Sequence, residues 1–417
     1  MALLYNATFD KNTRKLAFED RAGNEIYSFI VPEREKDDIT KPLTFRATQD
    51  GSTVKLTQYG NIYSSFQTSR DGGKTWTNYT IDTAITLNTG DEVSFRVNTY
   101  SKPYYGGYYH FMMTGKIEAW HNVMSLYSTN DFATYHSMIY VFYMMFKDCT
   151  SLTKAPVLPA TAVNTYGFYY MFKGCTSLTE APELPATKVS HYCYNSMFSG
   201  CTSLTKAPEL PATTLTNECY NSMFNGCTSL TEAPALPATT LASRCYGSMF
   251  KGCTSLTKAP ALPVTKLTNE CYQFMFSGCT SLTEAPALPA TTLTSRCYTG
   301  MFSGCKSLTK APALPATTLT SECYDSMFNG CTSLTKTPEL TVHSFYLRGY
   351  NGMFKNCSSL NEVHCRVTSE VSSSQISSYA KDWLSGVSST GTFYTNADAR
   401  WPSGASGIPE GWTRTNT

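Results

Sequence analysis

Charge is scarce in this chain. Of 417 residues only 15% are Asp, Glu, Lys or Arg, and the formal net charge is +2. Such a balance sets up no field to draw in nucleic acid or an anionic membrane surface. Long apolar runs are missing as well, and none approaches the roughly 20 residues that cross a bilayer, so no membrane insertion is expected. Histidine is limited to His110, His121, His136, His191, His343 and His364, whose spacings make neither a metal-ligand set nor a catalytic triad. No phosphate-cradling glycine loop occurs. The opening "MALLYNATFDKNTRKLAF" has no basic n-region, no continuous apolar h-region and no small-residue cleavage site, so it does not read as a secretory leader. These gaps leave no catalytic residue, metal site or cofactor to assign, and the expectation is a protein that is not an enzyme.

What the chain does have is repetition. Met-Phe pairs begin at Met145, Met171, Met197, Met223, Met249, Met275, Met301, Met327 and Met353, each 26 residues after the last. A fixed period of this length is the signature of a solenoid, in which no unit can bury its apolar face without its neighbours. Within one unit, Cys219 to Cys227 carries apolar residues at i, i+1, i+4, i+5 and i+8, which reads as a short helical stripe. Thr216 or Asn217 stands at its N-cap position, and Gly226 stands where a left-handed residue would end it. Ser229 to Ala233 reads as a short strand, halted by Pro234 and Pro237. The segment "LPATTL" returns the chain in an extended path.

Aligning the units by column exposes three further patterns. Lys154, Glu180, Lys206, Glu232, Lys258, Glu284, Lys310 and Lys336 form one column, and Glu218, Arg244, Glu270, Arg296, Glu322 and Arg348 another. Coils stacked at about 4.7–4.9 Å would turn these into ladders of alternating charge that fix register. The sixteen cysteines fall into a column of nine (Cys149 to Cys357), a column of six (Cys193 to Cys323) and Cys365. Both columns lie on the apolar stripe, and a C-x7-C spacing is not that of a zinc site. Reduced, packed thiols are therefore expected, with a reducing folding compartment. The aromatic column Phe142, Phe168, Tyr194, Tyr220, Tyr246, Tyr272, Tyr298, Tyr324 and Tyr350 reads as core with its hydroxyls at the surface. A binding ladder is the alternative.

The flanks differ in kind. The expected division is 1–40, an N-terminal β mount and linker; 41–123, a small β-sandwich; 124–365, the solenoid; and 366–417, a C-terminal cap holding a short helix at "SSYAKDWL" and a last strand at "GTFYTN". Ser69 to Trp76 fits the S-x-D-x-G-x-T-W box of sialidases, where it is a hairpin turn rather than catalytic machinery. It is also the sole support for a third reading, a glycan-active enzyme. In "YSKPYYGGYYHFMM", Tyr104, Tyr105, Tyr108 and Tyr109 are the candidate receptor contacts, with packing against the solenoid end as the alternative.

The unit "FxGCTSLTxAPxLPATxLxxxCYxxMF" resembles the BspA-like leucine-rich repeat. The flanking "GSTVKLTQYG", "SRDGGKTW" and "WLSGVSSTGTFY" resemble segments that accompany such repeats in proteins of gut Bacteroidales and their phages. That resemblance implies surface adhesion or recognition, with no catalytic residues to carry over. The first expectation is a phage tail or fibre component, located in a virion and binding a host-surface glycan or protein, with other virion proteins meeting its N-terminal region. A homo-oligomer such as a trimer is one form it could take. The alternative is an extracellular adhesin on a bacterial cell surface. The expected fold class is mainly β with short helices: a meander and a sandwich followed by a leucine-rich-repeat-like solenoid.

Overall fold

The computed structural model describes all residues except 1–5, 11–14, 20–21, 23–24, 31–36, 61–63, 100–106, 128–139, 141, 343–346 and 368–371. Two compact units result, Met1–Asp38 and Ile39–Thr417. In the first, β1 (Asn6–Asp10), β2 (Lys15–Glu19) and β3 (Glu25–Ile30) form an antiparallel meander, as the alternating runs predict.

The second unit opens with a sandwich of β4 (Thr44–Ala47), β5 (Ser52–Tyr59), β6 (Ser65–Ser69), β7 (Thr77–Tyr79), β8 (Ile85–Leu87), β9 (Glu92–Thr99), β10 (Tyr108–Thr114) and β11 (Ile117–Trp120). One sheet has the order β10-β5-β8. The other runs β12-β11-β4-β9-β6-β7, where β12 (Leu152–Lys154) belongs to the first repeat and pairs in parallel with β11. The sandwich and the solenoid therefore share a sheet. They also share a core: Phe111 of β10 stacks on Phe146, the phenylalanine of the first Met-Phe pair, at 5.4 Å between ring centroids. The Ser69–Trp76 turn joins β6 to β7. Asp71 accepts bonds from the Lys74 and Thr75 amides and the Thr75 hydroxyl, while the Trp76 indole donates to the Gly73 carbonyl. It is a hairpin turn, as expected.

Inside the repeats the helix reading needs correction. Cys219 to Cys227 is a run of linked turns. The amides of Cys219, Asn221, Met223, Asn225 and Cys227 bond to the carbonyl three residues back, and those of Glu218, Tyr220, Ser222, Phe224 and Gly226 reach the next coil, at Ser243, Cys245, Gly247, Met249 and Lys251. Every fourth residue is left-handed, with φ +55° at Glu218, +54° at Ser222 and +75° at Gly226. An α-helix would direct all its amides along its own axis and leave nothing to join one coil to the next. The strict spacing of four in the apolar pattern belongs to these four-residue turns. Only Gly226 behaves as the sequence predicts. Beyond it the expected strand shrinks to single bridges such as Glu232↔Lys258; the return segment, expected to be extended, pairs briefly where β13 (Ala162–Val163) meets β14 (Lys188–Val189).

The buried columns stack as the period demands. Phenylalanine centroids recur at 5.4–5.7 Å from Phe146 to Phe354, wider than the strand spacing first assumed. The Phe142–Tyr350 column is core, at 5.4–6.0 Å. Its hydroxyls do not reach the surface as expected: the Tyr220 hydroxyl is buried without a partner, and burial pushes the phenols of this column far above their ordinary pKa. All sixteen cysteines are free and buried.

The cap continues the coil geometry with a broken period. Its parallel sheet runs from β15 (Leu340–Val342) through β16 (Glu362–Val367) and β17 (Gly391–Thr395) to β18 (Trp412–Asn416), so "GTFYTN" is the penultimate strand rather than the last. A helix, α1 (Ser373–Tyr379), starts with a Ser372–Gln375 capping box, four residues before the expected "SSYAKDWL", and shares just the first three residues of that segment, whose remainder forms turns. The aromatic column is then extended by Trp383, stacked on Tyr350 at 5.9 Å, and Trp401, stacked on Trp383 at 5.2 Å.

The second charged column is a real ladder. Arg244 lies 2.7 Å from Glu270 and 3.5 Å from Glu218, and Arg296 lies 2.8 Å from Glu322. Glu270→Arg would set three like charges in line. A loss of about 1 kcal/mol is expected, the upper end for a surface pair and fitting a half-buried Glu270, and smaller at high salt where the Debye length shortens. Glu270→Gln should cost less. Urea titrations at two ionic strengths decide it, and equal, salt-independent losses would mean that the ladder does not act through charge.

Candidate recognition site

The charged ladder does not run the whole length of its column. Followed back 26 residues at a time from Glu218, the same position holds Tyr192, Tyr166 and Tyr140. All nine residues of the column share one backbone geometry, with φ from +53° to +61°. That conformation costs an L-residue about 1–2 kcal/mol, and its recurrence in every coil marks it as part of the turn architecture. It holds these side chains on the outside of the rod. In the first three coils, therefore, aromatic rungs replace charged ones.

The tyrosine rungs are ordered. Tyr140, Tyr166 and Tyr192 stack at 4.8 Å per step, within 9° of parallel. Three positions along, Tyr143 and Tyr169 make a second stack at 5.3 Å. The two stacks meet edge to face, at 78° between Tyr140 and Tyr143 and 75° between Tyr166 and Tyr169. Tyr170 packs on Tyr169 at 4.0 Å and carries the Lys173 ammonium 4.4 Å above its ring. On the sandwich side Tyr143 meets Tyr108 at 5.4 Å, and Tyr108 stacks on Tyr59 at 4.9 Å. Among the described residues eight tyrosines thus form one connected face, each half-buried except Tyr59, which is 46% exposed.

Electrostatics mark its far edge. Glu218, the first charged rung, raises the pKa of the Tyr192 phenol, and it also accepts a bond from the Asn195 amide at 3.3 Å. Burial and neighbouring phenols raise those of Tyr143 and Tyr166. All stay protonated at neutral pH, so each can donate as well as accept a hydrogen bond. Among the described residues no group of three or more His, Cys, Asp or Glu could hold a metal.

The four candidate contacts fare differently. Tyr104 and Tyr105 lie outside the described residues. Tyr108 joins the tyrosine face. Tyr109 is a correction: it is 4% exposed and packs edge-on against Phe66 at 4.8 Å, because alternation along β10 turns Tyr109 and Phe111 inward and Tyr108 outward. The sequence reading missed Tyr140, Tyr143, Tyr166, Tyr169, Tyr170 and Tyr192. Their signal was present in the column alignment, which was started at Glu218 instead of at the first repeat.

No curated protein matches the chain. A solved structure of a leucine rich cell surface protein from Faecalibacterium prausnitzii A2-165 aligns at 18% identity over 59% of this chain and 67% of that one, with a TM-score of 0.32. Residues 143–282 and 272–388 match the BspA type leucine rich repeat region, in six copies. That match takes in the linked turns, the stacked Phe column and α1, more than half of the chain, and on it the protein belongs to the BspA-type leucine-rich-repeat family.

Proposed function

We propose that this protein is a recognition and adhesion protein that works by binding rather than catalysis, and that the tyrosine face of its first coils is the contact surface. The observation that carries this reading is the pre-ordered stack itself. Tyrosine supplies large amphipathic contact area, and it is enriched where binding energy concentrates. Side chains already held in stacks have less rotamer freedom to lose on binding. Stacking hides the faces of the interior rings, which suits a protein surface meeting edges and hydroxyls better than a sugar lying flat on a ring. Tyr104 and Tyr105, neighbours of Tyr108 in sequence, are proposed as further contacts.

Membership of the BspA-type family supports placing the protein at a bacterial cell surface. The phage tail or fibre component expected first from the sequence would use the same face, but the family match lends it no support. Immunogold labelling of whole cells and of purified phage particles separates the two placements, and label confined to virions would overturn the cell-surface one.

The binding claim has its own test. Tyr166→Ala with Tyr169→Ala is expected to weaken adhesion about tenfold or more to whichever members of a panel of immobilised extracellular proteins, glycans and intact cells the parent protein binds. The thermal midpoint should fall only slightly, since both rings are half exposed. Undiminished adhesion by a stably folded double variant would place the contact surface elsewhere.

A further inference from the structure

The face that begins with tyrosines ends differently. Each earlier arginine of the charged column sits against a glutamate of the following coil: Arg244 against Glu270 at 2.7 Å and Arg296 against Glu322 at 2.8 Å. Arg348 is the last rung, and the cap supplies the coil that follows it. The Gly352 amide bonds to the Lys381 carbonyl there, so the cap brings another cation to this end of the column. Among the described residues no carboxylate lies within ion-pair distance of Arg348 or Lys381, while Lys355 lies 3.7 Å from Asp382. Three cations and one carboxylate thus line a cleft of about 340 Å³, with the amides of Asn329 and Asn351 in its walls.

The Asp325 carboxylate, which accepts from the Asn351 amide at 3.2 Å, attracts Arg348, and Asp382 attracts Lys355, but the cleft walls keep a surplus of positive charge that an entering anion would offset. The guanidinium of Arg348 offers the planar fork that matches a carboxylate or a sulfate ester, and Lys381 adds a point charge. Among the described residues no aromatic or aliphatic side chain lines the cleft, and these walls offer none of the apolar anchor pockets on which protein interfaces depend. Its volume is that of a small-ligand site, and its amides can pair with hydroxyls. We infer that this cleft is a second binding site, separate from the tyrosine face, and that it takes an acidic sugar. Arg348 and Lys381 hold the carboxylate or sulfate group, and Asn329 and Asn351 bond the ring hydroxyls.

Calorimetric titration of the full chain with four probes tests this: trigalacturonic acid, a sulfated galactose trisaccharide, the neutral galactose trisaccharide and triglutamate. At least one acidic trisaccharide should bind, and the neutral sugar and the peptide should bind about tenfold more weakly or not at all. Binding by the first probe alone would assign a carboxylate sugar, and by the second alone a sulfate ester. Arg348→Gln and Lys381→Gln should each reduce that affinity about tenfold, whereas Lys251→Gln, on the same face in an interior coil, should leave it unchanged. Should Arg348→Gln melt early, Lys381→Gln at the exposed rim decides alone. The inference is overturned if neither acidic sugar binds, if the neutral sugar or triglutamate binds as well as they do, or if Lys381→Gln is without effect.

Discussion

Phe250→Ala is expected to destabilise the protein by about 3–5 kcal/mol, the upper range for an aromatic deletion in a packed core. Phe250 is fully buried, with Phe224 and Phe276 each 5.7 Å away, centroid to centroid, on its two sides. Removing the ring breaks both stacks at once and opens a cavity that its neighbours cannot close. Their backbones are pinned by the amide of Phe224, which bonds to Met249, and that of Phe250, which bonds to Met275. In a repeat array each unit touches only its neighbours, so damage at an interior coil weakens the connection between the two halves of the rod. Urea unfolding measures the effect. A loss below about 1 kcal/mol, small beside the usual aromatic-to-alanine range, would mean that the phenylalanine column does not act as a continuous core.

The thiols should be silent until the chain unfolds. Each cysteine of the longer column donates to a carbonyl of the layer before it: Cys149 to Phe111 of β10 at 2.9 Å, then coil to coil from Cys175 and Phe146 at 3.0 Å to Cys357 and Phe328 at 3.0 Å. Burial raises their pKa values, to about 12 at Cys201, Cys279 and Cys357, and to about 11 at Cys219, Cys271 and Cys323 in the other column. Since the thiolate is the reactive species, labelling of the native protein near pH 8 should be roughly a few hundredfold or more slower than that of a free thiol, before steric exclusion is counted. Urea alone should then release all sixteen. If a reductant is needed as well, the columns are disulfide-linked, and the inference of a reducing folding compartment fails with them.

The solenoid was legible because its units are nearly identical, and a column alignment turns identity into stacking. What a unit looks like inside was less so. Apolar residues at i, i+1, i+4, i+5 and i+8 fit an α-helix and a chain of four-residue turns equally well, and the residues that decide between them give no warning. Glu218 and Ser222 adopt positive φ without being glycine, held there by bonds to the next coil that lie 25 residues away in sequence. The cap hid for another reason. Its bonds to the last repeat span 29 residues, as from Tyr350 to Tyr379, and the next set spans 21, as from Leu384 to Ala405, so a search at a period of 26 finds nothing. As for the site, the aromatic enrichment near the sandwich drew attention to the right end of the rod. Which tyrosine of β10 faces out was decided by where that strand begins, and three of the eight rings come from a column that changes chemistry after three rungs.

The linked turns also give the rod a direction. In the turn run all five bonds from one coil to the next point the same way: the amide belongs to the earlier coil and the carbonyl to the later one. Peptide dipoles aligned in this manner sum, as they do in a helix, though with amides pointing toward the C-terminal end the sense is reversed and that end is positive. The two ends then need opposite closures. At the C-terminal end Tyr350, Gly352, Phe354 and Asn356 present amides, and the cap answers with the carbonyls of Tyr379, Lys381, Trp383 and Ser385. At the N-terminal end the coil presents carbonyls, and β10 answers with donors: the Phe111 amide to Met145 at 2.8 Å and His110 Nδ1 to Met144 at 2.9 Å, which requires the His110 proton to sit on Nδ1. Neither closure could serve at the other end. Repeats can be added to or removed from such a rod only head to tail, between a sandwich that donates and a cap that accepts.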